Sequence, residues 1–131
     1  PRLMAIAEVA WSPKSSKDWN KFSKKVEGHF AVLDTLKIKY AKSIYDPIVT
    51  TTLNTKGEYF ANMEGEVSGL DFYYTIDESM PDNYSNHFNG PVFIPEDVTV
   101  LRIISYKNGM PIGKLLNIPI NSLKQRAVKV L

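Results

Sequence analysis

With 131 residues, 44% of them hydrophobic, the chain can bury one core but falls short of the roughly 250 residues that an eight-fold β/α barrel requires. Lys and Arg number 16 against 14 Asp and Glu, and a formal charge of +2 is far from the basic excess of a nucleic-acid-binding domain. No cysteine is present, which excludes disulfides, thiolate metal sites and thiol nucleophiles together, and no apolar run approaches the ~18 residues of a membrane span.

The chain opens on Pro1, with neither a basic segment nor an apolar targeting stretch, and is read as starting at a truncation or processing site. Leu3, Ile6, Ala7, Ala10 and Trp11 recur at three- and four-residue spacing and stop before Pro13, which predicts a short helix. A second helix is expected over about 16–36, capped by Ser15 or Ser16, with Asp18 three residues after Ser15 in capping-box spacing. Its apolar stripe is Trp19, Phe22, Val26, Phe30 and Leu33, while Lys17, Lys21, Lys24, Lys25 and Glu27 form a solvated face.

After Tyr40 the pattern changes, because turn residues recur between short segments rich in β-branched and aromatic side chains. Strands are predicted at 48–53, 59–63, 71–76, 87–88, 98–105 and 113–120, with a seventh at 124–130. Thr55-Lys56-Gly57, Glu64-Gly65-Glu66, the 77–83 segment, Asn89-Gly90-Pro91 and Lys107-Asn108-Gly109 separate them. The expected fold is therefore α+β by content: one or two N-terminal helices, then an all-β fibronectin- or immunoglobulin-like sandwich of about seven strands. Residues 1–41 form the helical part and 42–131 the sandwich.

Two stretches carry a family resemblance. Pro1-Arg2-Leu3-Met4-Ala5-Ile6-Ala7-Glu8-Val9-Ala10-Trp11-Ser12 resembles the P-R-L-x-A-x-A-E-x-x-W-[ST] segment that closes the barrel of family 20 glycoside hydrolases, the β-N-acetylhexosaminidases. The likeness continues through Asp18-Trp19, Phe22, His29, Leu33-Asp34, Leu36 and Tyr40, similar to the last barrel helix and exit peptide of bacterial members. The second stretch runs from Phe72-Tyr73-Tyr74-Thr75-Ile76-Asp77-Glu78-Ser79-Met80-Pro81 through Tyr84-Ser85 and Gly90-Pro91. It resembles the Y-T-x-D-G-S-x-P module of the chitobiase C-terminal, fibronectin-associated domain, as do Val98-Thr99-Val100 and Lys107-Asn108-Gly109. Glu78 stands where that module has Gly, and Ile103 where it has a small residue.

The resemblance implies the end of a barrel followed by an accessory sandwich that supports it, in a retaining enzyme releasing terminal N-acetylhexosamine, periplasmic or secreted. Such enzymes use the substrate's acetamido group as nucleophile, oriented by an Asp beside a Glu general acid and base, and that pair lies upstream of the P-R-L segment. This chain accordingly inherits no catalytic, cofactor-binding or metal-binding residue and is expected to be inactive alone. The alternative is a carbohydrate- or protein-binding module.

The remaining chemistry-bearing residues have plainer roles. Asp77-Glu78 is read as a turn whose solvated carboxylates keep ordinary acidity. His29 and His87 are too far apart in sequence and type to suggest a metal set. Tyr73 and Tyr74 alternate across a strand, so at most one joins the core, and with Tyr84 and Tyr106 an exposed ring could stack on a sugar. Asn83-Tyr84-Ser85 matches a glycosylation acceptor by pattern alone. The expected partners are the upstream barrel and a glycan, with no nucleic acid or membrane span. An exposed Leu3, Ile6, Ala7 and Trp11 face would also drive self-association.

Overall fold

The structure, a computed structural model, describes residues 2–129. The chain divides into two units, one ending at Ile44 and the other beginning at Tyr45.

In the first unit, α1 (Arg2–Trp11) contains no buried residue and α2 (Trp19–Thr35) buries Ser23, Val26 and Phe30. The expected serine cap is not used. Lys14–Ser16 form a 3-10 turn in which the Ser16 hydroxyl donates to the Pro13 carbonyl at 3.0 Å. Asp18 caps α2 instead, its carboxylate accepting from the Asn20 and Lys21 amides at 2.8 and 3.2 Å, so the helix begins about three residues late. Trp19, expected in the buried stripe, is 51% exposed because it starts the first turn.

The far end of α2 closes with Lys37 in the left-handed region, φ 55. Its amide bonds the Asp34 carbonyl at 3.1 Å and the Ile38 amide bonds that of Leu33 at 2.9 Å, the paired bonds of a Schellman ending. Phe30 stacks on Tyr40 at 4.3 Å, and the Tyr40 hydroxyl donates to Asp34 at 3.1 Å. Desolvation, then that carboxylate, raises the Tyr40 pKa. Lys25 ties α2 to Glu8 of α1 at 3.0 Å and lowers the Glu8 pKa by this bond.

The second unit is a β-sandwich of two four-stranded sheets. Its strands are β1 (Ile48–Leu53), β2 (Tyr59–Glu64), β3 (Leu70–Thr75), β4 (Asn86–His87), β5 (Val92–Ile94), β6 (Val100–Lys107), β7 (Met110–Pro119) and β8 (Val128–Lys129). The sheet orders are β5-β2-β1-β8 and β4-β3-β6-β7, antiparallel except where β8 runs parallel to β1. Ala61 and Met63 of one sheet face Phe72, Leu101 and Ile103 of the other, and Ile94, Ile120 and Leu123 complete the buried cluster. Leu101 and Ile103 are fully buried, so truncating either to Ala would cost about 2–5 kcal/mol.

The sandwich of about seven expected strands is present as eight among the described residues. Residues 92–94, for which no strand is predicted, form β5 along an edge, the position where the neighbouring Pro91 and Pro95 are tolerated. The strand expected at 124–130 is corrected: α3 (Ile120–Gln125) buries Ile120 and Leu123, and only Val128–Lys129 pair as β8, Val130 lying outside the described residues. Those two apolar side chains at i and i+3 fit a helical turn, and burying them outweighs the weak strand pattern. β7 begins at Met110, three residues earlier than expected, because Asn108 and Gly109 take φ 53 and 76 and turn the chain in two residues. It then bulges: Gly113, Lys114 and Leu115 lie opposite Ile104 alone, with Gly113 at φ 82.

Candidate functional site

At one edge of the sandwich the chain leaves β4 of one sheet, passes through 88–91 and enters β5 of the other. Cross-strand pairing fixes the walls: Tyr73 faces His87 and Tyr74 faces Asn86 on one sheet, and Phe60 faces Phe93 on the other. The Phe88 amide extends the first ladder by bonding the Phe72 carbonyl at 2.8 Å. Between them lies an open cleft of about 490 Å³ lined by Tyr74, Ile76, Asn86, His87, Asn89 and Phe93, together with residues 90–92. Tyr74 and Ile76 pack against the buried cluster and form an apolar floor. Phe93 is 48% exposed, its ring held 5.7 Å from that of Phe60.

A polar chain stands at the mouth. His87 Nε2 lies 3.1 Å from Asp71 Oδ1, and His87 Nδ1 lies 2.8 Å from Asn89 Oδ1. Two oxygen acceptors on one imidazole favour the doubly protonated ring, and the pKa of His87 is raised, first by Asp71 and then by Asn89. The ring also meets Tyr73 edge-on at 5.1 Å, and Tyr73 meets Tyr106 at the same distance. Tyr73 and Tyr74 thus serve opposite faces, Tyr73 in this outer cluster and Tyr74 beneath the cleft.

The acidic pair lies in the adjoining turn. Asp77 Oδ1 accepts from the Ser79 hydroxyl at 2.5 Å and the Ser79 amide at 3.1 Å. These bonds lower the Asp77 pKa, which corrects the expectation of ordinary acidity for that carboxylate. Glu78 adopts φ 66 at the position where the resembling module has Gly. Side-chain bonds from two residues hold it there: the Thr99 hydroxyl donates to Glu78 Oε1 at 2.8 Å, and Arg102 donates to the Glu78 carbonyl. Thr75 adds a bond to the Ser79 carbonyl at 2.7 Å. The pair is a structural turn pinned to β3 and β6, with both carboxylates engaged by hydroxyl groups.

The other singled-out residues scatter. His29 is on α2 in the first unit and His87 on β4 in the second. Tyr84 is 90% exposed on a turn held by Asp82, whose Oδ1 accepts from the Tyr84 amide at 2.9 Å and the Ser85 hydroxyl at 3.1 Å. Asn83 is exposed beside it, while Tyr106 is buried. Sequence reasoning missed the cleft because it assigned 92–94 to no strand and so had no wall opposite Asn86 and His87. The short apolar run Val92-Phe93-Ile94 between Pro91 and Pro95 was the available signal.

In comparison with known proteins, the model of a family described as Fn3 associated matches residues 63–117. No curated protein matches the chain. The matched span runs from the end of β2 to near the end of β7 and contains every residue lining the cleft. The similarity therefore takes in β4, β5 and the residues lining the cleft, while Phe60 lies outside the matched span.

Proposed function

We propose that this chain is the non-catalytic C-terminal portion of a β-N-acetylhexosaminidase, in which 1–41 are the last helices of the catalytic barrel and 42–131 an accessory sandwich that supports it. The observation that carries the reading is α1. This helix resembles a barrel-closing segment, yet Leu3, Ile6, Val9 and Trp11 are 81%, 64%, 65% and 88% exposed. At ~25 cal/mol per Å² of apolar surface, leaving several such side chains in water costs several kcal/mol, so the helix suits a protein in which other barrel elements cover it.

The order of features supports the same reading, because the barrel-like segment precedes a sandwich whose 63–117 span matches the Fn3 associated model. The parent would remove terminal β-linked N-acetylhexosamine from glycans, in the periplasm or after secretion, with its carboxylate pair on the barrel. The sandwich contributes a rigid body, since its inward positions form one continuous apolar cluster.

The test is hydrolysis of a chromogenic N-acetyl-β-glucosaminide by this chain and by one extended upstream through the expected barrel. Activity in the extended protein alone is the expected result. Activity in this chain would overturn the non-catalytic reading, and inactivity of both would overturn the hexosaminidase assignment.

A further inference from the structure

We infer that the cleft between β4 and β5 is a binding site for one pyranose ring of a neutral saccharide. The inference goes beyond the supporting role and needs only the sandwich, not the barrel. A pyranose presents an apolar face of C–H groups and a girdle of hydroxyls that both donate and accept hydrogen bonds. The cleft offers the matching parts: the half-exposed Phe93 ring, the apolar floor of Tyr74 and Ile76, and the side-chain amides of Asn86 and Asn89, each carrying donors and acceptors. Its volume of about 490 Å³ falls within the range of small-molecule pockets, ~300–1,000 Å³.

Asn89 is held before any ligand arrives. The bonds that the His87 ring donates to Asp71 and to Asn89 Oδ1 orient the amide and leave the Asn89 nitrogen as a donor. Phe93 is likewise braced by Phe60. Two other ligand classes fit less well. A peptide adding to the sheet edge needs a run of free backbone donors, but β4 has two residues, β5 has three, and Pro91 and Pro95 on either side of β5 have no N–H. An anion would find the imidazole of the lining His87 already paired with the Asp71 carboxylate at 3.1 Å.

The experiment is a titration of the whole ¹⁵N-labelled chain with methyl N-acetyl-β-glucosaminide and, separately, methyl β-glucoside, read from backbone amide shifts. Saturable shifts confined to Tyr74, Ile76 and residues 86–93 are expected with at least one sugar. Phe93→Ala and Asn89→Ala should each weaken binding about tenfold or more, whereas Tyr84→Ala, outside the cleft, should leave it unchanged. Phe93 is half-exposed and Asn89 exposed, so an unchanged spectrum elsewhere will show that each variant folds. Absence of saturable shifts with both sugars, shifts centred elsewhere, or full affinity in both variants would overturn the inference. None of these outcomes bears on the hydrolysis test.

Discussion

Thr51 lies at the centre of β1, 3% exposed, paired with Ala61 on the inner face of the sandwich, and its hydroxyl oxygen has no hydrogen-bond partner among the described residues. A buried hydroxyl without a partner forfeits its bonds to water, a cost of about 1–3 kcal/mol. Thr51→Val keeps the branched shape while replacing that oxygen with a methyl group, so it should stabilise the sandwich by about 1–2 kcal/mol. For a unit of roughly 90 residues that shift raises the melting temperature by several degrees, at ~4–8 °C per kcal/mol. With a urea m-value of about 1–2 kcal/mol per M, the unfolding midpoint should rise by about 1 M. Thr51→Ser, which retains the hydroxyl and loses the methyl, should move the midpoint the other way.

The assay is urea unfolding followed by the sheet signal in circular dichroism, with tryptophan emission as an internal control. Both tryptophans, Trp11 and Trp19, lie in the first unit, so the emission transition should not move while the sheet transition does. A Thr51→Val protein destabilised by 1 kcal/mol or more would refute the reasoning, because it would mean that the hydroxyl is satisfied in the folded state.

Three other outcomes are expected. Because the pKa of His87 is raised above 6.5 by Asp71 and Asn89, the pair's stabilisation is fully present below about pH 6.5 and is lost as pH rises through the folded value. Urea midpoints measured against pH should show this decline in the parent chain and a flatter profile in Asp71→Asn; an identical slope in both would remove the pair as its source. Gly109→Ala places a Cβ at φ 76 in the β6–β7 turn and should cost about 1–2 kcal/mol in the same urea assay, whereas a neutral result would mean that the turn can take another form. The isolated chain should self-associate through Leu3, Ile6, Ala7 and Trp11, seen as a concentration-dependent sedimentation coefficient that disappears in Leu3→Ser/Trp11→Ser; strictly monomeric behaviour at all concentrations would count against an adhesive α1.

The pinned turn at Glu78 illustrates how a local rule can be overridden. A glutamate at φ 66 is disfavoured by its own backbone, yet bonds from Thr99 and Arg102, more than 20 residues away, hold it there. These contacts tie the turn to the strand that runs through the core.

The sequence by itself determined what depends on neighbours along the chain. Three- and four-residue spacing of apolar side chains marked both N-terminal helices, short β-branched and aromatic segments between turn residues marked β1, β2, β3 and β6, and Asn108-Gly109 marked a two-residue turn because those residues tolerate positive φ. The Y-T-x-D motif reading fell within the span that matches the Fn3 associated model. Tertiary structure decided what depends on who packs against whom. Whether Ile120 and Leu123 served a strand or a helical turn was set by the core that buries them. Whether residues 92–94 were a loop or an edge strand was set by the offer of β2 as a partner. The cleft followed from the same pairing: Asn86, His87, Asn89 and Phe93 are close in sequence but belong to a chain crossing between two sheets. No local periodicity encodes the gap that such a crossing leaves.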